Sequence, residues 1–226
     1  MLTRIPSFYD FFGLSDADRL LGERLSAEAA RTANGMTHQK DYEALAAVVL
    51  HRKPDLIFEI GTFLGVTSDF FLQLLPASRV VSIAYVNPKR RLFAKKYNQG
   101  YLQEEQVGSL VHESRRSRFT QLLGDSHKLT ADELVGEHGR FDMVFIDGDH
   151  SRKGVAQDTA LTQDILGDQG VICWHDANPR QRYMDVRMFL EGALSLKAVA
   201  TVDDYIGGIA CWSEGIQNRL EAEEDR

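Results

Sequence analysis

Several things are scarce in this 226-residue sequence, and each scarcity excludes a class of protein. Cysteine occurs only as Cys173 and Cys211, each inside an apolar run. Neither stands at a zinc-ligand spacing, and buried free thiols suit them better than a disulfide framework. No apolar run approaches the roughly 20 residues that a bilayer span requires. The opening Met1-Leu2-Thr3-Arg4-Ile5-Pro6 has no continuous apolar stretch behind its basic residue, so no secretory signal is expected. A cytoplasmic protein with no membrane attachment is the expectation. Positive charge is not in excess either: the net charge is -7, which leaves no electrostatic footprint for nucleic acid. Arg115-Arg116-Ser117-Arg118 is a local basic cluster that reads as solvated surface. Internal repeats and low-complexity linkers are missing, and the length suits one domain with an added segment.

What is present is an alternation of short apolar runs with helix-patterned stretches. From about Ser15 to Lys53 the pattern is helical: Asp16 can cap a segment carrying Leu20, Leu21 and Leu25, Asn34-Gly35 breaks it, and a second run carries Tyr42, Leu45, Val48 and Val49. Pro54 ends that run. Leu56-Ile57-Phe58-Glu59-Ile60 follows as a strand of the kind buried in a parallel sheet. Strand-like runs at 80–85, 119–123, 141–146 and 171–174 then alternate with helices, which implies right-handed βαβ units and a Rossmann-like, doubly wound α/β sheet. The last two runs, 196–202 and 206–212, are joined closely enough for an antiparallel hairpin. Residues 1–53 are thus expected as an N-terminal helical cap, 54–213 as the core and 214–226 as an acidic tail.

In an open parallel sheet, ligands bind beyond the carboxyl ends of the strands where strand order reverses. The first core strand ends in Glu59-Ile60-Gly61-Thr62-Phe63-Leu64-Gly65. Gly61 permits a tight turn and Gly65 a close approach of the next helix. Glu59, facing the crevice, can accept from a cationic amino group, and the amides of Thr62 and Phe63 can meet a carboxylate. That pair of contacts suits a ligand bearing an amino acid group. A nicotinamide site would want Gly-x-Gly-x-x-Gly, but Phe63 and Val66 stand at the second and third glycine positions.

Four segments occur in order: 58–68, Leu122-Leu123-Gly124-Asp125-Ser126, Phe141 to His150 ending in Asp147-Gly148-Asp149-His150, and Gly170 to Asp176 ending in Trp174-His175-Asp176. Together they resemble a class I S-adenosylmethionine-dependent methyltransferase. More narrowly, they resemble the bacterial O-methyltransferase-like group, related more distantly to catechol O-methyltransferase. The resemblance spans about 54–212. It implies a seven-stranded sheet whose last strand is antiparallel, with S-adenosylmethionine as cofactor. It also implies cofactor contacts by Glu59, Gly61, Thr62, Phe63, Gly65, Ser68, Asp147 and, beside the adenine, Asp125 and Ser126. One position departs from the family: where the second core strand usually ends in an acid that grips the ribose, Ala84 stands, and Tyr85 or Asn87 would have to substitute.

Asp147, Asp149 and His150 follow one strand and His175 and Asp176 follow its neighbour, so five polar groups should converge at one edge. Asp147 and Asp176 offer hard oxygen ligands to Mg2+. His175 would add a third ligand or orient Asp176. In the catechol-type enzymes the third ligand is an amide, and it falls near Ala177 here; Asn178 would need a shifted loop. The alternative is that both aspartates cap helix starts. His150, at the place of the catechol-type lysine, is the candidate general base, with a neutral imidazole suited to the task; hydrogen bonding to its own loop is the structural alternative. The expected acceptor is a small hydroxylated molecule such as a sugar or phenolic unit of a natural product. Phe8, Tyr9, Phe11, Phe12, Met36, Tyr97 and Tyr101 would stack on it or form core or homodimer contacts. A non-methylating enzyme and a catalytically inactive binding or partner subunit on the same fold stand as alternatives.

Overall fold

In the computed structural model, which describes residues 2–86, 103–178, 184–192, 194–201, 205 and 207–224, the apolar runs become the strands of one sheet. The strands are β1 (Leu2–Ile5), β2 (Leu56–Ile60), β3 (Arg79–Ala84), β4 (Phe119–Leu123), β5 (Phe141–Ile146), β6 (Leu166–Trp174), β7 (Ala198–Thr201) and β8 (Ala210–Trp212). Their order is β1-β7-β8-β6-β5-β2-β3-β4. All pairs are parallel except those of β8, which runs antiparallel to both β6 and β7. The expected Rossmann-like arrangement with an antiparallel last strand is present, with one addition. The stretch expected to open a purely helical cap begins with β1, which adds an eighth strand to the edge of the core sheet beside β7. Four residues are too few to show a period, which is why this strand escapes a pattern reading. Arg4 anchors it by donating to the carbonyls of Thr201 at 3.0 Å and Ala177 at 2.8 Å.

The helices among the described residues are α1 (Phe8–Phe12), α2 (Asp16–Ala33), α3 (Gln39–Arg52), α4 (Val66–Leu74), α5 (Ala131–His138), α6 (Arg152–Ile165), α7 (Met184–Gly192) and α8 (Glu214–Glu224). Their ends follow local chemistry. Ser15, not Asp16, caps α2, its hydroxyl accepting from the Asp18 N–H at 3.2 Å. Asn34 ends α2 at a φ of 50°, and Lys53 ends α3 at the same φ just before Pro54. None of these helices is long and apolar enough to cross a membrane. Asn87, Tyr97 and Tyr101, named in the sequence reading, lie outside the described residues.

Period-two alternation gives the sheet two apolar faces. Ile57, Met143, Val171 and Cys173 join one core with α2, α3 and α4, including Leu45 and Phe71. Phe58, Ile60, Val144, Ile172 and Trp174 join the other with α5, α6 and α7. From β2 the chain goes outward to β3 and β4, then returns to β5 on the opposite side of β2, so strand order reverses between β2 and β5. The ladder continues one bond past the strand ends: Gly61 N–H to Ile83 O at 2.9 Å, Asp147 N–H to Ile60 O at 2.8 Å, and His175 N–H to Ile146 O at 3.0 Å. These bonds line up Gly61, Asp147 and His175 along the carboxyl edge.

Gly61 sits in this row at a φ of 111°, and a Cβ there would lie 2.0 Å from the Asp147 carbonyl oxygen. The glycine is therefore required by the contact between two backbones as much as by any ligand. Gly61→Ala is expected to lower unfolding free energy by about 2 kcal/mol or more. Urea denaturation of the variant checks this, and a change within about 0.5 kcal/mol, typical of a surface substitution, would contradict the packing argument.

Candidate active site

Beyond the ends of β5 and β6 the expected polar groups do converge. Asp147 Oδ1 lies 3.2 Å from His175 Nδ1 and 3.4 Å from His150 Nε2. Asp176 Oδ2 lies 2.8 Å from His150 Nε2, and its Oδ1 lies 3.5 Å from His175 Nδ1. One ligand atom from each of Asp147, His175 and Asp176 falls within 4.8 Å of the others. Asp176 holds a left-handed φ of 59°, a conformation that aspartate tolerates better than most residues and that recurs at functional sites. Among the described residues neither aspartate plays the capping part that was the structural alternative. Ser151 caps α6 by accepting from Gly154 N–H at 3.0 Å, and Asp149 braces Ser151 by accepting from its N–H and hydroxyl. Asp149 thus stands in the turn and outside the cluster.

Burial and paired charge work against each other here. Burial alone would push a histidine toward neutrality. For His150 the adjacent Asp147 and Asp176 carboxylates outweigh it and raise the pKa to about 9. His175 is more deeply buried, yet Asp147, Asp176 and Asp41 hold its pKa well above the ordinary value. Burial pushes the two site aspartates up, and the imidazoles more than reverse this, so both end below the usual range. The neutral imidazole expected of His150 is therefore corrected: in this arrangement it carries a proton at neutral pH. It becomes a base only when something else takes the charge of its carboxylate partners.

A methyltransferase domain family matches residues 58–177. The chain belongs to this family. The class expected from the motifs, class I S-adenosylmethionine-dependent methyltransferase, agrees with it and with the sheet order. No curated protein matches the methyltransferase. Among solved structures it is similar to the O-methyltransferase from Bacillus cereus in complex with SAH, at 19% identity over 90% of this chain and 93% of that one, with a TM-score of 0.53. The SAH-bound methyltransferase PaMTH1 of Podospora anserina is 17% identical over 89% of each chain, with a TM-score of 0.52. The O-methyltransferase TomG from Streptomyces achromogenes, solved with SAM and involved in tomaymycin synthesis, is 19% identical over 84% of this chain and 88% of its own, also at 0.52. At these identities the likeness is one of fold.

The residues assigned to the cofactor are distributed between the crevice and the layer beneath it. Phe63 is exposed at a φ of 46°, and Tyr85 is exposed just past β3. Thr62 is turned inward: its amide N–H reaches Ile83 O at 3.3 Å and its hydroxyl pairs with Ser82 and Gln121, so the amide contact expected with a ligand carboxylate is used within the fold. Ser68 is buried and donates to Glu59 Oε2, as does Ser82 at 2.6 Å. Glu59 itself is 1% exposed, so this carboxylate lies under the crevice instead of facing it. Gly65 opens α4 at a φ of 86°, packed against Gly108. Asp125 accepts from His127 N–H at 3.2 Å, and Ser126 donates to the buried Asp158 at 2.7 Å. Beside them a cavity of about 600 Å3 opens between the ends of β3 and β4 and α5. Ala84 ends β3, with its carbonyl accepting from Gly124 N–H at 3.0 Å.

Asn178, named as the shifted-loop candidate for a third ligand, is buried and its Oδ1 accepts from Arg4 at 3.0 Å. Two participants escaped the sequence reading. Asp41, on α3, meets His175 Nε2 at 3.2 Å, and Tyr205 donates to Asp41 at 2.9 Å. Residues His38 and Asp41 stand at capping-box spacing but with unusual residue types, and that spacing is the only local signal of the first.

Glu59 yields a pH prediction. Burial raises its pKa from 4.5 to about 7, against the lowering effect of the Ser68 and Ser82 hydroxyls, with Asp147 adding to the rise. Between those two values the folded methyltransferase holds a proton that the unfolded chain releases. The stabilisation is therefore complete below about pH 4.5 and is lost as the pH rises through about 7. Relative to Glu59→Gln, the wild type should lose about 3 kcal/mol across that window. Urea denaturation of both proteins at a series of pH values measures it, and parallel profiles would contradict the assignment.

Proposed function

We propose that this methyltransferase uses S-adenosylmethionine to methylate an oxygen of a small hydroxylated molecule, assisted by a divalent cation at Asp147, His175 and Asp176. The observation that carries the reading is the meeting of two carboxylates and two imidazoles at the carboxyl edge, one ladder bond away from the Gly61 turn. On this reading the cofactor occupies the crevice beside that turn. Phe63 and Tyr85 stand exposed just past β2 and β3, and Asp125 and Gly124 border the cavity that would receive the adenine end. Glu59 acts from beneath, through the negative charge it takes on above its raised pKa, on the cationic amino group. Bound there, S-adenosylmethionine supplies an electrophilic methyl group, and much of the rate then comes from holding the acceptor oxygen in line with it.

The metal reading rests on the donor set. Two carboxylate oxygens and an imidazole nitrogen within 4.8 Å form a compact open set of ligands. Asp147, His175 and Asp176 would hold a divalent cation, which would supply acidification of an acceptor hydroxyl. With Asp147 and Asp176 so engaged, their charge would hold the His150 proton less strongly, and Nε2 could take the proton of the acceptor. The acceptor itself is expected on the side of the N-terminal helices. A sugar or phenolic hydroxyl of a natural product is the class we favour, in a cytoplasmic enzyme.

Ala84 at the end of β3 gives weight to a second reading, a binding subunit that has lost turnover. S-adenosylhomocysteine titration by calorimetry separates the two. The wild type should bind it, and Ala84→Asp should tighten binding by about 10-fold or more through a charge-assisted ribose contact. With labelled S-adenosylmethionine and a panel of phenols and sugars, His150→Ala should lower methyl transfer by about 10²- to 10⁴-fold with cofactor affinity unchanged. Cofactor binding without transfer to any acceptor would favour the binding subunit, and no cofactor binding by either protein would defeat both readings.

A further inference from the structure

Asp41 belongs to neither the sheet edge nor the loops that follow the strands, yet it reaches the candidate active site. It lies fully buried on the first turn of α3, where its Oδ2 accepts from the His38 N–H at 3.2 Å and closes a capping box. Capping requires only that bond. The same carboxylate accepts from Gly208 N–H at 2.7 Å and from the Tyr205 hydroxyl at 2.9 Å, both on Oδ1, and it meets His175 Nε2 at 3.2 Å through Oδ2. Gly207 and Gly208 have φ values of 120° and 99°, and a Cβ on Gly207 would fall 2.3 Å from Asp41 Oδ2. The loop backbone is drawn tightly around this one side chain.

Those partners decide which way the His175 ring is used. Backbone N–H groups can only donate, so the His38 and Gly208 amides, with the Tyr205 hydroxyl, make the Asp41 carboxylate an acceptor, and this geometry favours the ring N–H on Nε2. Nδ1 is then the nitrogen presented to the other side, 3.2 Å from Asp147 Oδ1 and 3.5 Å from Asp176 Oδ1. We propose that Asp41 is a positioning residue that makes His175 Nδ1 a metal ligand, so that the site selects a divalent transition metal over magnesium. The inference rests on the metal-assisted reading given above. Magnesium is satisfied by carboxylates and water and gains little from a nitrogen ligand. Manganese and the later first-row ions gain more, and a carboxylate on the outer ring nitrogen fixes the ring and raises its basicity. The N-terminal helical segment would thereby complete the site without supplying a ligand.

The test compares Mn2+ and Mg2+ binding by calorimetry on the full chain, in the wild type, Asp41→Asn and Tyr205→Phe, with thermal unfolding of each as a control for the fold. Pulsed electron paramagnetic resonance of bound Mn2+ reads nitrogen coupling directly. The wild type should bind Mn2+ more tightly than Mg2+ and show that coupling. Asp41→Asn should weaken Mn2+ binding by about 10- to 100-fold and Mg2+ binding much less, with the nitrogen coupling reduced. Tyr205→Phe, a milder change that keeps the carboxylate, should narrow the preference in the same direction and carries the test alone if Asp41→Asn does not fold. Equal losses for both ions, an unmoved preference, or manganese bound without nitrogen coupling would overturn the role of Asp41 while leaving a metal site in place. A wild type that binds neither ion would remove the metal reading, and this inference with it.

Discussion

The near-contact between the ends of β2 and β5 is the constraint on which the rest of the site depends. Gly61 and the Asp147 carbonyl approach so closely that no side chain fits between them, and the same bonds that close this gap place Asp147 and His175 in register. A reversal of strand order leaves a crevice at that point in any doubly wound sheet. What is particular here is that the residues following three neighbouring strands are held by backbone bonds, not by loop conformation. The geometry of Asp147 and His175 therefore inherits the rigidity of the sheet, as preorganised chemistry requires.

Electrostatics then gives the cluster its character. Asp41, Asp147 and Asp176 share two imidazoles in a largely buried place, and protons on those imidazoles are what makes so many carboxylates tolerable there. Such an arrangement is poised for exchange: a cation can replace a proton with little rearrangement of the ligands, and the ring that loses its proton gains basicity. The glutamate beneath the crevice has a different balance. Two hydroxyls stabilise its charge, but burial opposes it more strongly, so its ionisation lies near neutrality.

Much of this was legible in the chain. The core strands from β2 to β6, the antiparallel last strand and the convergence of Asp147, His150, His175 and Asp176 follow from apolar runs and from the rule that polar residues after parallel strands gather at one edge. Side-chain direction was the part that was not legible. Thr62, Ser68 and Ser126 are at the positions the motifs indicate, and their hydroxyls pair within the fold with Ser82, Glu59 and Asp158. Linear sequence carries no sign for that choice when both sides offer polar partners. Asp41 was missed because its partner lies 134 residues away and its local pattern reads as a helix start. The protonation of His150 was misjudged for the same reason: it is set by Asp176, on the neighbouring strand's exit, as much as by Asp147 on its own.

The edge strand β1 has a consequence for how the molecule is made. Leu2 pairs with Ala198, so this segment must find a partner synthesised 196 residues later. At ordinary translation rates that wait is on the order of 10 to 40 seconds. For that interval the β1 residues and Arg4 have no sheet to join, while the α2 and α3 hairpin can already form. Closure of the sheet edge by β1 can then come only after β7 has been made, and it brings the Arg4 bonds that tie down residues 177 and 178 beside the active site.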